Sequence, residues 1–534
     1  MRIIIIILIA SCNYLVNVFG QEIEFYVSNE GSDLWDGTCE TNIDGSDVGP
    51  WRTLNHAIEE IRKIRPNPPS ATDHVTISIL PGKYFQTSQL DMDERDSYIT
   101  IRALYEEETA ISGGFVINGE WIEDGGIRST TFQDSCGEAF VGTFRLFPAK
   151  NPNLADIGYK MNIALSPYNT IKDLLVETDT CTRNSTAWHQ NCPYEDRLGF
   201  VFENEFDSQW EHLDQTRVLI FHSWIAEYAT VGNITQDNGV SKVYFKEPLA
   251  SAPIGDYVKT GGWRYIIYNN KAVLDMPGEY VCTDNGEGIS TISYIPPDEP
   301  EIKDLPVVMT KLPIIMQMRG VTNVNLEGLK FEHSSSNGMD GYNWGSETAL
   351  KVISSQNVVV TDCQFSSTGM IGMYVRDSNN VQVSRSVFTD IGGHGFMAQY
   401  TSSDTEGGMF DILVDNNIFD GCGMNNFWQP ACIWFGGDNN MTIRNNEITN
   451  VPYTPINIFG LMHHGASYWE DNGVTEPTRD DYVFHIEFNY FYQYGQGILN
   501  DFGAVYIGED NIWKYTELKK LLQMSMCQVP IQQQ

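Results

Sequence analysis

A nine-residue phrase that returns six times constrains this chain more than any other feature. Each copy begins near Asn or Asp, runs through alternating apolar residues and closes on Phe or Ile. The copies are Asn323–Phe331, Asn357–Phe365, Asn380–Phe388, Asp411–Phe419, Asn440–Ile448 and Val483–Phe491. Successive closing residues lie 34, 23, 31, 29 and 43 positions apart. A shorter apolar stretch follows five of them, at Gly372–Val375, Gly395–Ala398, Ala431–Trp434, Pro455–Ile458 and Gly503–Tyr506, after 7, 7, 12, 7 and 12 positions. Period-two alternation marks strands. A fixed core with connections of variable length predicts a solenoid of stacked coils.

Two positions before each closing residue stand Cys363, Ser386, Asn417, Asn446 and Asn489. Three asparagines in register can form a side-chain ladder at a turn when coils lie about 4.8 Å apart, which favours parallel coils over hairpins. Alternation splits the second stretch into two sets. Met373, Phe396, Cys432, Ile456 and Ala504, with Val375, Ala398, Trp434, Ile458 and Tyr506, are the more uniformly apolar and are expected inside. Tyr374, Met397, Ile433, Asn457 and Val505, with Arg376, Gln399, Phe435, Phe459 and Ile507, are expected outside. Aromatics on an outer strand face suit stacking on sugar rings, and equally suit burial under a loop. Just before the second stretch come Met370, Gly393, Gln429, Tyr453 and Asp501, then Ile371, His394, Pro430, Thr454 and Phe502. Asp501, Tyr453 and Gln429 would then share one corner within roughly 10 Å, with His394 one coil further. The loop carrying His463, His464, Trp469 and Asp471 is expected at the same corner, where loops of a repeat protein usually carry function. The candidate binding residues are therefore His394, Gln429, Tyr453, Thr454, Tyr374 and Phe435, beside Asp501.

Around the repeats the chain divides into residues 21–121, an N-terminal cap and first coils; 122–300, a β-rich insertion; 301–510, the solenoid; and 511–534, a non-repeat tail. In the cap, Thr53 starts a helix with Leu54, Ala57, Ile58 and Ile61 at helical spacing. The insertion holds strands at Arg217–Phe221, Lys242–Phe245 and Tyr265–Tyr268. The fold class is all-β, with a helix-containing cap.

Met1-Arg2 followed by the apolar run Ile3–Ala10 reads as a secretory signal peptide over residues 1–20, cleaved near Gly20–Gln21. The run is short for a membrane anchor, and no other stretch is a transmembrane candidate. A secreted, extracellular chain would expose its sequons at Asn184, Asn233 and Asn440 to glycosylation. It would also let some of Cys39, Cys136, Cys181, Cys192 and Cys282 pair, whereas Cys363 and Cys432 sit in strand phrases as core residues. The net charge of -37 excludes nucleic acid and disfavours uronate-rich polysaccharides. The expected partner is a neutral glycan and the expected state a monomer. No metal site is read from Cys/His spacing and no cofactor is implied; calcium is the one ion left open.

Tyr26-Val27-Ser28, Gly31-Ser32-Asp33, Gly37-Thr38 and Gly49-Pro50-Trp51-Arg52-Thr53-Leu54 with Ala57 resemble the start of secreted right-handed parallel β-helix proteins of the pectin-lyase-like superfamily. Ile111-Ser112-Gly113-Gly114, Leu274–Tyr280 and Tyr294–Pro297 resemble the glycoside hydrolase branch that includes α-fucosidases and xylanases. Asn500–Gly508 is similar to that branch's Ser-Asp-x-Gly-Gly-Ile-Tyr-x-x-Gly stretch. The resemblance covers about residues 24–121 and 260–510. It implies a right-handed parallel β-helix and matches Asp501 to the first of two catalytic aspartates. The second would lie on a following coil, where this chain departs from the pattern. Glycoside hydrolysis needs two carboxyls, about 5–5.5 Å apart for retention or 6.5–9.5 Å for inversion.

Other chemistry is weaker. Gly393-His394-Gly395 resembles the Gly-His-Gly of polygalacturonases, but it precedes Asp480-Asp481 when the expected order is the reverse. A tight turn explains the glycines equally well. A calcium-dependent lyase needs an acidic cluster in register with a base, and Arg376 has none. The readings carried forward are a carbohydrate-active β-helix enzyme of glycosidase type and a non-catalytic glycan-binding or structural relative.

Overall fold

The computed structural model describes residues 23–43, 45–105, 108–153, 169–175, 197–203, 210–221, 225–237, 239–249, 264–336, 347–399, 409–425, 429–436, 439–459, 484–495, 499 and 503–508. Three sheets of parallel strands enclose one elongated core. The first sheet has nine strands, in the order Ile23–Val27, Val75–Ile79, Ile99–Ala103, Thr322–Glu327, Gln356–Thr361, Asn379–Ser384, Met409–Asp415, Asn439–Arg444 and Phe484–Glu487. The second has eight, from Gly82–Phe85 and Thr109–Ser112 through Lys330–Glu332, Gln364–Thr368, Val387–Ile391, Ile418–Cys422 and Glu447–Val451 to Tyr490–Tyr494. The third also has eight: Leu90–Met92, Ile314–Arg319, Thr348–Ile353, Ile371–Arg376, Phe396–Gln399, Ala431–Gly436, Thr454–Phe459 and Val505–Gly508. The chain visits third, first and second sheets in turn, so one circuit is one coil.

The nine-residue phrase is therefore not one strand. It is a first-sheet strand, a sharp bend, and the start of a second-sheet strand. Asp362, Arg385, Asn416 and Asn445 make the bend with φ of 54, 48, 57 and 55°. That left-handed conformation costs a non-glycine residue of the order of 1 kcal/mol, which the next residue's bonds offset. Asn417 and Asn446 lie there, buried. The Asn417 amide donates to Asn446 Oδ1 at 3.0 Å and the Asn446 amide to Asn489 Oδ1 at 2.9 Å. The same oxygens accept from the backbone N–H of the preceding coil, Asn417 at 2.9 Å and Asn446 at 3.0 Å. Ser386 and Cys363 extend the column, the Ser386 N–H donating to Asn417 Oδ1 and the Cys363 N–H to Ser386 Oγ.

Behind the ladder, the closing residues stack in the core. Phe331, Phe365, Phe388 and Phe419 follow one another at ring-centroid spacings of 5.3, 4.6 and 4.5 Å, stacked with their planes nearly parallel. The expected helix is present as Leu54–Ile64, capped by the Thr53 side chain, with Leu54, Ala57, Ile58 and Ile61 buried against the first coils.

After Ser112 the chain leaves the solenoid and rejoins it at Ile314. Residues 113–313 hold antiparallel sheets, and the expected insertion at 122–300 lies inside this excursion. The Cys136–Cys282 disulfide staples it, and Cys39 is also disulfide-bonded. Cys363, Cys422 and Cys432 are free and buried. The excursion docks on the second sheet and on the corner between second and third. Arg145 donates to Asp390 Oδ1 at 2.7 Å and to the Thr368 carbonyl at 2.7 Å, all of it buried. Leu219, Phe221, Ala226, Ile266 and Tyr268 form one apolar cluster with Tyr453 and Leu499 of the corner. Tyr228 Oη donates to the Asn425 carbonyl at 3.2 Å.

Candidate functional site

The outer row of the third sheet differs from the expected one on two coils. Pairing sets Phe396 opposite Ile433 and Ile456 opposite Val505, one residue later than equal spacing predicts. Ile433, Phe435, Ile456 and Ile458 consequently point into the core with Met373, Val375, Phe396 and Ala398. Phe435, expected as a sugar-stacking residue, is a core side chain. Trp434 and Tyr506, expected inside, belong to the outer row. The expected alignment fails because the 12-residue connections before these strands deliver the chain one residue out of step. The row, in register, reads Tyr374, Met397, Trp434, Asn457, Tyr506.

Tyr374, Met397 and Trp434 in this row are buried, in a cluster of their own with Met370, Ile371 and Ala431. Tyr374 Oη donates to Gln399 Oε1 at 3.0 Å, and burial pushes the phenol up to about 12. Asn457 follows Trp434 and is fully buried, yet neither its Nδ2 nor its Oδ1 has a hydrogen-bond partner. An unmet buried amide costs roughly 1–3 kcal/mol or more. In the row it lies between Trp434 and Tyr506, and a buried polar group left unpaired there calls for an explanation. Thr454 is buried at the start of the same strand, and its hydroxyl also lacks a partner. The sequence places Asn457 in the outer set; a lone polar residue in an aromatic row was the available signal.

The corner between second and third sheets collects other expected residues. Tyr453 is buried beneath the excursion, 6.1 Å from the Tyr506 ring. Gln429 is half-buried with φ of 46°. His394 is buried, and its Nδ1 accepts from the Ala431 N–H at 3.1 Å. Desolvation holds its imidazole down at about 4, so it is neutral and bonded to the next coil. Close packing, more than a turn, explains its flanking glycines. A Cβ on Gly395 would lie 2.7 Å from both the Cys432 carbonyl and the Phe419 ring, and one on Gly393 within 3.0 Å of Met370. Asp501 lies outside the described residues, as do His463, His464, Trp469 and Asp471. The segment 460–483 joins Thr454–Phe459 to Phe484–Glu487, so it attaches at the opposite end of the third-sheet strands.

A cleft of about 660 Å³ opens between this corner, at Ser335, Ser336 and Asn425, and the excursion. Glu138 lines it, accepting from Thr310 Oγ1 at 2.8 Å and from the Ser336 N–H at 3.2 Å. Desolvation nevertheless pushes its carboxyl up, so it holds a proton longer than an ordinary glutamate. Asp134 lines the same cleft and is ion-paired with Lys311 at 2.6 Å. Asp214 and Asp284 also line the cleft, so Glu138 is a desolvated carboxyl among acidic neighbours. Nothing in the repeat pattern pointed to these carboxyls, because all come from the excursion.

Among the described residues no three or more His, Cys, Asp or Glu side chains converge as metal ligands, and no helix is long and apolar enough to cross a membrane. Asn233 is exposed, Asn440 lies in Asn439–Arg444, and Asn184 is outside the described residues.

With this geometry in place, residues 315–463 match the family model of the right handed beta helix region. The chain is a right-handed parallel β-helix protein. The β-helix is similar to a solved structure named a glycoside hydrolase at 16% identity and a TM-score of 0.67, covering 91% of this chain and 85% of the other. Two further solved structures align more loosely. XylC in complex with xylose has 11% identity and a TM-score of 0.30, over 82% of this chain and 70% of its own. A GH136 lacto-N-biosidase from Eubacterium ramulus has 12% identity and a TM-score of 0.34, over 92% and 58%. No curated protein matches the β-helix chain.

Proposed function

We propose that this β-helix is an extracellular carbohydrate-active protein of glycosidase type, which takes a neutral glycan on the outer side of its third sheet. The observation that carries the reading is Asn457, a fully buried amide with neither end hydrogen-bonded, between Trp434 and Tyr506 in the outer row. A sugar ring supplies what that row lacks: adjacent hydroxyls for the amide and an apolar face for Trp434 and Tyr506. The net charge of -37 favours a neutral glycan over a uronate. Asp501 is the carboxylate that the resemblance offers for catalysis, and the desolvated Glu138 is the carboxyl that the corner cleft adds. Secretion through residues 1–20 and glycosylation at Asn184, Asn233 and Asn440 belong to the same reading.

The test is hydrolysis of aryl fucosides, aryl xylosides and neutral oligosaccharides by the full chain, with Asp501→Asn, Glu138→Gln and Asn457→Leu beside it. Hydrolysis that disappears in Asp501→Asn and loses its acid limb in Glu138→Gln supports a glycosidase. Binding that survives both carboxyl variants but not Asn457→Leu, with no hydrolysis, favours the non-catalytic glycan-binding reading. Binding unchanged in Asn457→Leu removes the third-sheet site.

A further inference from the structure

The first sheet carries a second concavity that the third-sheet site does not use. It is a shallow cleft of about 430 Å³ on the outer side of four successive strands, Asn379–Ser384, Met409–Asp415, Asn439–Arg444 and Phe484–Glu487. Its cause is local. Asn323, Asn357 and Asn380 sit at the same place on successive strands, each at positive φ. Their amides form a second ladder, Asn380 Nδ2 to Asn357 Oδ1 at 2.8 Å and Asn357 Nδ2 to Asn323 Oδ1 at 2.9 Å. On the next coil the position is Asp411, and the register slips. Met409 pairs with Asn439 but Ile412 with Met441, so three steps on one strand face two on the other. A bulge of this kind bends its strand and re-aims side chains. The ladder stops there and the cleft begins.

The lining is mixed in a way that suits a sugar. Gln382, Leu413, Thr442 and His485 form one row across the four coils. That row offers an amide, an apolar patch, a hydroxyl and an imidazole in sequence. Asp411 flanks it on one side and Arg444 on the other, the latter held by Asp415 at 3.1 Å. Ile412 and Met441 are buried beneath. Neighbouring parallel strands are about 4.8 Å apart, roughly the length that one pyranose adds to an extended glycan, so a chain laid along the axis meets about one residue per coil.

We infer that this first-sheet cleft is an accessory site for a neutral oligosaccharide of three to four sugars lying along the helix axis. The inference rests on the carbohydrate reading above. It is a different site on a different sheet, so a long glycan would be held at two places on one molecule.

The experiment measures the affinity of the full chain for neutral oligosaccharides of two to six sugars by calorimetry. Thr442→Trp fills the cleft, Gln382→Ala removes the amide that also donates to Asn380 Oδ1 at 3.2 Å, and Asn457→Leu removes the third-sheet site. The expected result is affinity that rises with length up to about four sugars. Thr442→Trp should cost tenfold or more of the gain with length and Gln382→Ala three- to tenfold, both with an unchanged circular dichroism spectrum. The third-sheet response to a disaccharide should persist in both. Length dependence that is the same in wild type, Gln382→Ala and a folded Thr442→Trp overturns the accessory site and leaves the third-sheet reading intact. Binding lost in Thr442→Trp but unchanged in Asn457→Leu supports the accessory site and removes the third-sheet one. No binding of any neutral oligosaccharide by the wild type overturns both.

Discussion

Asn446 is satisfied on every side: its oxygen accepts two bonds from Asn417, and its amide donates to the Val414 carbonyl and to Asn489. Replacing it with Ala strands the buried Asn417 backbone N–H and leaves the Asn417 amide with the Val383 carbonyl alone. We expect Asn446→Ala to cost about 2–4 kcal/mol in equilibrium denaturation. Asn457 is the opposite case, buried with both ends unmet. Asn457→Leu keeps the branched shape and removes the desolvation cost, so it should raise stability by about 1–3 kcal/mol while abolishing glycan binding. A melting temperature that falls in that variant would show that the amide is satisfied in solution. The ladder residues were legible from spacing alone, because a column of asparagines needs nothing but register. Asn457 was legible as outward-facing but not as unsatisfied, since satisfaction depends on neighbours far away in sequence.

At the level of the strand, each coil is fixed by what the next one leaves room for. The phenylalanine column makes Phe388 touch rings on both sides at 4.6 and 4.5 Å. Phe388→Ala should cost about 3–5 kcal/mol, read as a shift in denaturation midpoint. Alternation identified these strands, yet it misplaced Phe435 and Trp434. Two connections of 12 positions among others of 7 break equal spacing, and only hydrogen-bonded pairing resets the register. The bend inside the nine-residue phrase escaped for a related reason: Arg385 or Asp362 at positive φ has no marker like glycine. The excursion supplies a pH-sensitive element. Burial pushes Glu279 up to about 7, against the pull of Lys150 3.9 Å away. A carboxyl with a folded value above its unfolded one contributes stability that is fully present at low pH. That stability falls as pH rises from about 4.5 through about 7. Glu279→Gln should flatten this part of the stability–pH curve, and a curve unchanged in slope would refute the assignment.

Across the whole molecule, the coils and the excursion are joined by a few buried polar contacts besides apolar packing. Arg145 reaches 245 residues along the chain to Asp390. Arg145→Ala leaves that carboxylate buried and unpaired, which we expect to cost about 3–5 kcal/mol. Arg145→Met with Asp390→Leu should recover most of it. If the single variant costs nothing, the excursion is held by its apolar cluster with Tyr453 and Leu499 alone. The solenoid was legible because repeats state their own periodicity. The excursion was not, because antiparallel strands joined by long loops carry no period, and its carboxyls reach the cleft only through tertiary packing.

The asparagine column also has a direction. In each case the backbone N–H of one coil is answered by a side chain from the next coil along the chain, never by its own. A coil is thus left incomplete until its successor is in place. A chain emerging from the ribosome would finish each turn one turn late, adding coils as a filament adds subunits, and could gain or lose length only in whole circuits.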